Sequence, residues 1–496
     1  MGVIRRQSLK FTVVNFAGTI LGALSVLFIY PLDDHIYGYA NYLYATASLL
    51  IPLAGLGING AAVRFFREFK NDDDNNGFVS LILMLTVGLN LLFVIGFWLF
   101  HGSFYALLDL LNMDVSLVSK NQAIILVLVF LLNLVLVISA MITNYRRIVV
   151  PAIIQTLGYK IYLPIAFLLC YFGYVNIEQF AHLIPLFYAG SFVLLVFYLY
   201  KLGGLKLTWR PKFFRTKIRS MLNYMMYTGL SSLGSRLIYR IDSVMVSLIV
   251  GLTSNGLYNR IFFMANVVAI PTNSIHQIAN PIISEHIQKE NWHEVSELYR
   301  KSSTNLFLIG AYLFVCLTFC LPEVFSFAPN PEAYQGAMAI FLFLGASRLV
   351  EMLSGLNAAI INFSQYYRYN LLFTLILGGV NIVLNYYLIN DYGVVGAAMA
   401  SFFSLALFNL MKYLFVLIKL GIQPFDASTL KIAILFGGSY LLLSFFHLNL
   451  HPIINITAYG GIISLVAVLG VLYWNISEDA RSLLVKYMNK LGLRVS

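Results

Sequence analysis

The chain has 496 residues, of which 60% are hydrophobic and only 11% charged, and its mean hydropathy is +0.81. Soluble domains carry about 25% charged residues, so the composition excludes a soluble enzyme, and 3 cysteines placed in apolar runs exclude a secreted disulfide scaffold. A net charge of +11 would point a soluble chain toward nucleic acid; here the charges flank long apolar segments, which makes the chain a polytopic membrane protein with no nucleic-acid partner.

A helix crosses a bilayer with about 20 apolar residues. The basic start, Met1 to Lys10, precedes an apolar run long enough to span and lacking a small-residue cleavage site, so it reads as the first span and not as a signal peptide. In chain order fourteen spans are predicted: 11–31, 38–62, 78–101, 122–143, 150–173, 180–200, 223–250, 256–280, 303–322, 334–361, 369–389, 394–418, 430–447 and 454–474. Most Lys and Arg then fall on the side of the N-terminus, with Lys120 alone in an external loop, which puts both termini in the cytoplasm and requires an even number of spans. The external loops are too short to fold a domain. The largest cytoplasmic connection, 204–222, is basic and carries Trp209, Pro211, Phe213 and Phe214; it is either a segment lying on the anionic inner leaflet or an ordinary positive-inside linker. The tail, 476–496, reads as an amphipathic helix on the membrane surface, with Leu483, Leu484, Tyr487, Met488 and Leu491 on one face and Arg481, Lys486 and Lys490 on the other.

The chain also resembles itself. Lys201-Leu202-Gly203 ends the sixth span and Lys419-Leu420-Gly421 the twelfth; Phe11-Thr12 with Gly18 matches Tyr227-Thr228 with Gly234; Gly38 matches Gly256; and Asn144-Tyr145 matches Asn362-Phe363. Six spans separate equivalent positions, so the repeat is parallel. The predicted fold is an all-α membrane protein of two parallel six-helix bundles, 1–203 and 223–421, with two additional helices in 422–475. Bundles related in this way rock against one another to give alternating access, although channels are also built from repeats.

Ionisable residues inside spans are costly, at about 2.5–3.5 kcal/mol each, and face a partner or a wet cavity. They are Lys160, Arg236, Arg240, Asp242, Arg260, Arg348 and Glu351. Arg236 and Arg240 share a helical face with Ser232, Ser243 and Ser247, and one Asp cannot neutralise both. Asp242 is placed to pair with Arg240 or Arg260, and Arg348 with Glu351. The excess of cations suits an anionic ligand such as phosphate, which guanidinium groups bind through two parallel hydrogen bonds. Asn259, Asn266, Asn273 and Asn280 recur every seventh residue, with Gln277 near the same face, either as glue between helices or as the lining of a sugar site. Pro271 is expected to kink their helix. The candidate substrate-binding set is therefore Arg236, Arg240, Arg348, Lys160, Arg260, Asn266 and Asn273, with Asp242 and Glu351 as candidates for coupling to H+ or Na+. No catalytic constellation, cofactor motif or metal site is predicted: His447 and His451 lack further ligands, Cys316 and Cys320 read as packing, and Asp72-Asp73-Asp74 reads as a solvated charge run.

The chain resembles the polysaccharide-transporter branch of the multidrug/oligosaccharidyl-lipid/polysaccharide exporter superfamily. The resemblance lies in Arg5-Arg6-Gln7-Ser8, Tyr37-Gly38, the run Leu53-Ala54-Gly55-Leu56-Gly57 leading to Arg64-Phe65-Phe66, and Arg240-Ile241-Asp242 followed by Gly251 and Gly256-Leu257-Tyr258. It implies a Wzx-type flippase of the bacterial cytoplasmic membrane that moves undecaprenyl-pyrophosphate-linked oligosaccharides, such as O-antigen units for lipopolysaccharide, from the inner to the outer leaflet. It further implies a MATE- and MurJ-like fold, membrane lipids as surroundings, and a polysaccharide polymerase and other assembly proteins as partners. The alternatives are a MurJ-like lipid II flippase, a MATE drug exporter, disfavoured because the first half has no carboxylate within a span, and a membrane polysaccharide polymerase, disfavoured by the short external loops.

Overall fold

The computed structural model describes residues 2–69, 77–205, 218–446, 450–474 and 476–490. Asp72-Asp73-Asp74, the aromatic residues of the 204–222 linker and His447 lie outside the described residues. All regular elements among the described residues are helical. We number them α1 (Gly2–Leu24), α2 (Asp34–Gly55), α3 (Ile58–Arg64), α4 (Phe78–Leu110), α5 (Val115–Asn144), α6 (Val149–Tyr171), α7 (Ile177–Lys201), α8 (Ile218–Ile249), α9 (Leu252–Val268), α10 (Ile270–Gln288), α11 (Trp292–Phe325), α12 (Ala337–Leu353), α13 (Asn357–Phe363), α14 (Tyr367–Leu420), α15 (Ala427–Ser444), α16 (Pro452–Tyr473) and α17 (Glu478–Lys490).

Among the described residues 9 helices are long and apolar enough to cross a membrane, or 11 if the bent pairs α2–α3 (59°) and α12–α13 (49°) each form one span. This is fewer than the fourteen expected from the sequence. The helices α8, α9 and α10 fall short by this measure, and α8 carries Arg236, Arg240 and Asp242 within two turns. At 54 residues α14 would be about 80 Å long if straight, far more than one crossing needs. It breaks at Gly393, whose φ of 58° and ψ of −136° are open to glycine alone. The expected kink near Pro271 coincides with a helix boundary: α9 ends at Val268 and α10 starts at Ile270, with the proline in its first turn.

Local chemistry sets several helix starts. Asp33 accepts from the amides of His35 (2.8 Å) and Ile36 (3.1 Å) to cap α2, Asp114 caps α5, and Asn176 with Gln179 forms a capping box on α7. Two compact units result, Met1–Asn259 with Ile389–Val394, and Arg260–Leu388 with Val395–Ser496. The first has a core of Ile58, Phe65, Phe78, Ile82, Ile138, Ile142, Leu199 and Met225, contributed by α3, α4, α5, α7 and α8. The second holds one core along α10, α11, α13 and α14 and another among α11, α15 and α16 that also takes Ala480 and Leu484 of the tail helix α17.

Within the first unit α2 and the start of α9 touch backbone to backbone. A Cβ on Gly38 would lie 1.8 Å from the carbonyl oxygen of Leu252, and one on Gly256 would lie 2.1 Å from that of Asp34. Asn255 seals the crossing by donating to the carbonyl of Gly38 at 2.9 Å. Gly38 and Gly256 are the pair matched in the sequence repeat, and Asp34 and Leu252 each precede them by four residues. The contact is thus reciprocal, as in the isologous interface of a two-fold dimer.

Candidate functional site

The site is built on the first unit from α2, α6, α7 and α8. Arg236 and Arg240 are one turn apart on α8 and both are half-buried. The Arg240 guanidinium lies 5.0 Å from the centroid of the Tyr44 ring on α2. Arg236 is within electrostatic range of both Tyr44 and Arg240. Tyr44 is stacked on Tyr159 of α6 (centroids 6.0 Å apart) and on Tyr188 of α7 (6.3 Å), and Tyr159 and Tyr188 are 5.7 Å apart. Phe187 closes the back of the cluster at 5.4 Å from Tyr159. The sequence folds this way locally because a π-helical turn, Ile153–Leu157, interrupts α6 just before Tyr159. One extra residue per turn rotates the following side chains, a device often found at functional sites.

Neither Arg236 nor Arg240 forms an ion pair among the described residues. The expected Asp242–Arg240 pair is not formed: Asp242 is 2% exposed and its Oδ2 accepts from the Tyr258 hydroxyl at 2.8 Å. A cation on an aromatic face gains about 0.5–2 kcal/mol, which is less than the several kcal/mol that desolvating a charge costs. Two guanidinium groups one turn apart on α8 thus have no carboxylate partner among the described residues.

The other sequence candidates lie elsewhere. Lys160 follows Tyr159, but its stem runs past Gly18 of α1, where a Cβ would sit 3.5 Å from its Cδ. In the second unit Arg260 is wholly buried; its Nη2 donates to the carbonyl of Ala333 at 3.0 Å and its guanidinium lies 4.3 Å from the Tyr334 centroid. Arg348 is 4% exposed and pairs with Glu351 at 3.0 Å, as the sequence spacing suggests. Asn266 is half-buried and donates to the carbonyl of Phe262 at 2.8 Å, whereas Asn273 is exposed. The asparagine stripe runs across the helix boundary at Ala269, with Asn259 and Asn266 on α9 and Asn273 and Asn280 on α10. Asn259 lies in a buried knot with Ser243 and Asn255.

Sequence reasoning missed two features. The tyrosines are lost among 32 in the chain, and only their depth and spacing along four helices could single them out. The other is Lys412 on α14, which is 5% exposed. The second unit also contains an apolar cavity of about 490 Å³ lined by Phe307, Phe314, Phe343, Phe402, Phe436 and Tyr440.

The family described as polysaccharide biosynthesis protein matches residues 5–287, more than half of the chain. Among solved structures the chain is similar to the lipid II flippase MurJ in an inward closed conformation, with 15% identity, a TM-score of 0.70, and coverage of 94% of this chain and 99% of that one. It is also similar to a MATE transporter in a bent conformation (13% identity, TM-score 0.53, 84% and 95% covered). A third similar structure is an outward-facing multidrug resistance MATE transporter of the MOP superfamily (14% identity, TM-score 0.51, 84% and 95% covered). At these identities the likeness is one of fold. No curated protein sequence matches the chain.

Proposed function

We propose, from the premise that this chain belongs to the polysaccharide biosynthesis protein family, that it is a flippase and not an enzyme. It moves an undecaprenyl-pyrophosphate-linked oligosaccharide from the inner to the outer leaflet of a bacterial cytoplasmic membrane by alternating access. The observation that carries this reading is the Arg236–Arg240 pair, half-buried, lacking a carboxylate and backed by Tyr44, Tyr159 and Tyr188. A pyrophosphate offers two adjacent anionic groups, and each guanidinium can grip one through parallel hydrogen bonds. The tyrosine rings suit the apolar faces of sugars, and their hydroxyls suit the sugar hydroxyls. The apolar cavity of the second unit suits part of the isoprenoid chain.

In this reading α8, the α9–α10 pair and the two arms of α14 all cross the bilayer, giving fourteen spans with both termini cytoplasmic. The bundles 1–203 and 223–421 are the moving bodies, linked through 204–222. Arg260, bonded to Ala333, and Arg348, paired with Glu351 within α12, have structural roles instead of meeting the headgroup, and Lys160 is a secondary contact.

The test is the double variant Arg236→Ala, Arg240→Ala, with membrane insertion checked by immunoblot. Charge-assisted hydrogen bonds contribute about 1.5–3 kcal/mol each, so each arginine is worth about 10- to 100-fold in headgroup binding. Export of the lipid-linked oligosaccharide falls by at least that factor in the double variant. Export at the wild-type rate by a correctly inserted double variant overturns the assignment.

A further inference from the structure

Lys412 lies two turns before the end of α14 at Leu420. Its side chain is 5% exposed, and Nζ sits 3.9 Å from the centroid of the Phe408 ring. Among the described residues it makes no hydrogen bond and no ion pair. A lysine this close to the end of a membrane helix ordinarily snorkels to the nearer surface. This one does the reverse. Helical side chains lean toward the N-terminus, and Phe408 is one turn further from the end, so the ammonium is carried back into the second unit.

The groups facing it are few. From α12, Glu351 is within electrostatic range, but its Oε2 is held by Arg348 at 3.0 Å. From α10, His276 is within range of both Glu351 and Lys412. Glu351 is about a third exposed, with a side-chain accessibility of 31%, and its partner is Arg348. Lys412 is too enclosed for a phosphate or a sugar to reach it, but a proton needs no such room.

We propose that Lys412 is the proton-coupling base of the transport cycle, taking up and releasing one proton as the access state changes. The step is the balanced equilibrium of amine plus proton with ammonium and needs no other reactant. The enclosed ammonium has no hydrogen-bond acceptor among the described residues, so a change in the wetting of its surroundings moves the proton. The inference rests on the flippase reading, since it supplies the driving ion for that cycle, and by linkage substrate binding and proton binding then affect one another equally.

The test is calorimetric titration of the purified full-length protein with farnesyl pyrophosphate in buffers of different ionisation enthalpy. Wild type is compared with Lys412→Met, of similar length and uncharged, and Lys412→Arg, which cannot deprotonate. The wild type is expected to exchange about one proton more per bound pyrophosphate than either variant. Equal proton exchange in all three proteins overturns the role of Lys412 while leaving the pyrophosphate site standing. Absence of any binding to wild type overturns the pyrophosphate reading, and this inference with it. A second readout is export in energised vesicles with the electrical potential clamped. Collapse of the pH gradient slows wild type but not Lys412→Met, and an unaltered response in Lys412→Met again contradicts the proposal.

Discussion

Arg240 and Arg260 carry the same charge at comparable depth in the sequence, yet their surroundings give them different work. Arg260 has no exposure and is bonded to Ala333 over the Tyr334 ring, whereas Arg240 is half-buried over Tyr44 without a carboxylate. Replacing Arg260 with Met removes a hydrogen bond from a charged donor, worth about 1.5–3 kcal/mol. The melting temperature in detergent falls, while export per folded molecule is unchanged. Tyr44→Phe keeps the ring under Arg240 and retains most export; Tyr44→Leu removes a contact of about 0.5–2 kcal/mol and lowers export by about 2- to 30-fold in a vesicle assay. Glu351→Gln replaces the charged partner of Arg348 with a neutral amide, which costs about 1.5–3 kcal/mol and is read as a lower melting temperature. Charges inside apolar runs are conspicuous in the sequence, which is why the arginines and the Arg348–Glu351 spacing were legible there. Their partners were not, because Ala333 and Tyr44 reach Arg260 and Arg240 only through the fold. Lys412, close to Lys419, passes in the sequence for one more inside charge.

Elements were legible wherever hydrophobic length dominates. The long apolar helices α4, α5, α7 and α11 fall on predicted spans, and Pro271 marks the start of α10. The seven-residue asparagine spacing runs across a helix boundary at Val268, whereas a heptad keeps one face only along an uninterrupted helix. The glycine match between Gly38 and Gly256 was visible as a repeat, but its meaning needed the fold: the two helices approach so closely that neither position has room for a methyl group. Both Gly38→Ala and Gly256→Ala must therefore spread the crossing. Because the contact is reciprocal, the two variants are expected to lose export and thermal stability to a similar extent, and a large effect at one with none at the other contradicts the reciprocity. At Gly393 space is not the constraint, as nothing lies within 4 Å of an added Cβ; the backbone conformation is, and Gly393→Ala costs about 1–3 kcal/mol in thermal stability.

Across the molecule, two compact units of helices share the MurJ fold, and the first carries two uncompensated guanidinium groups on a tyrosine cluster. The proposed function has the direction of the cargo as its central claim: the pyrophosphate-linked oligosaccharide proposed as substrate would be collected at the inner leaflet and delivered to the outer one. The most direct measurement is the leaflet distribution of lipid-linked oligosaccharides in cells lacking the chain, determined by mass spectrometry on inverted and right-side-out vesicles. The same cells are then complemented with wild type or with the Arg236→Ala, Arg240→Ala variant. The account predicts complete pyrophosphate-linked units trapped on the cytoplasmic leaflet, released by the wild type and still trapped with the variant. A normal distribution in the deletion, or single units accumulating on the outer leaflet, would contradict it.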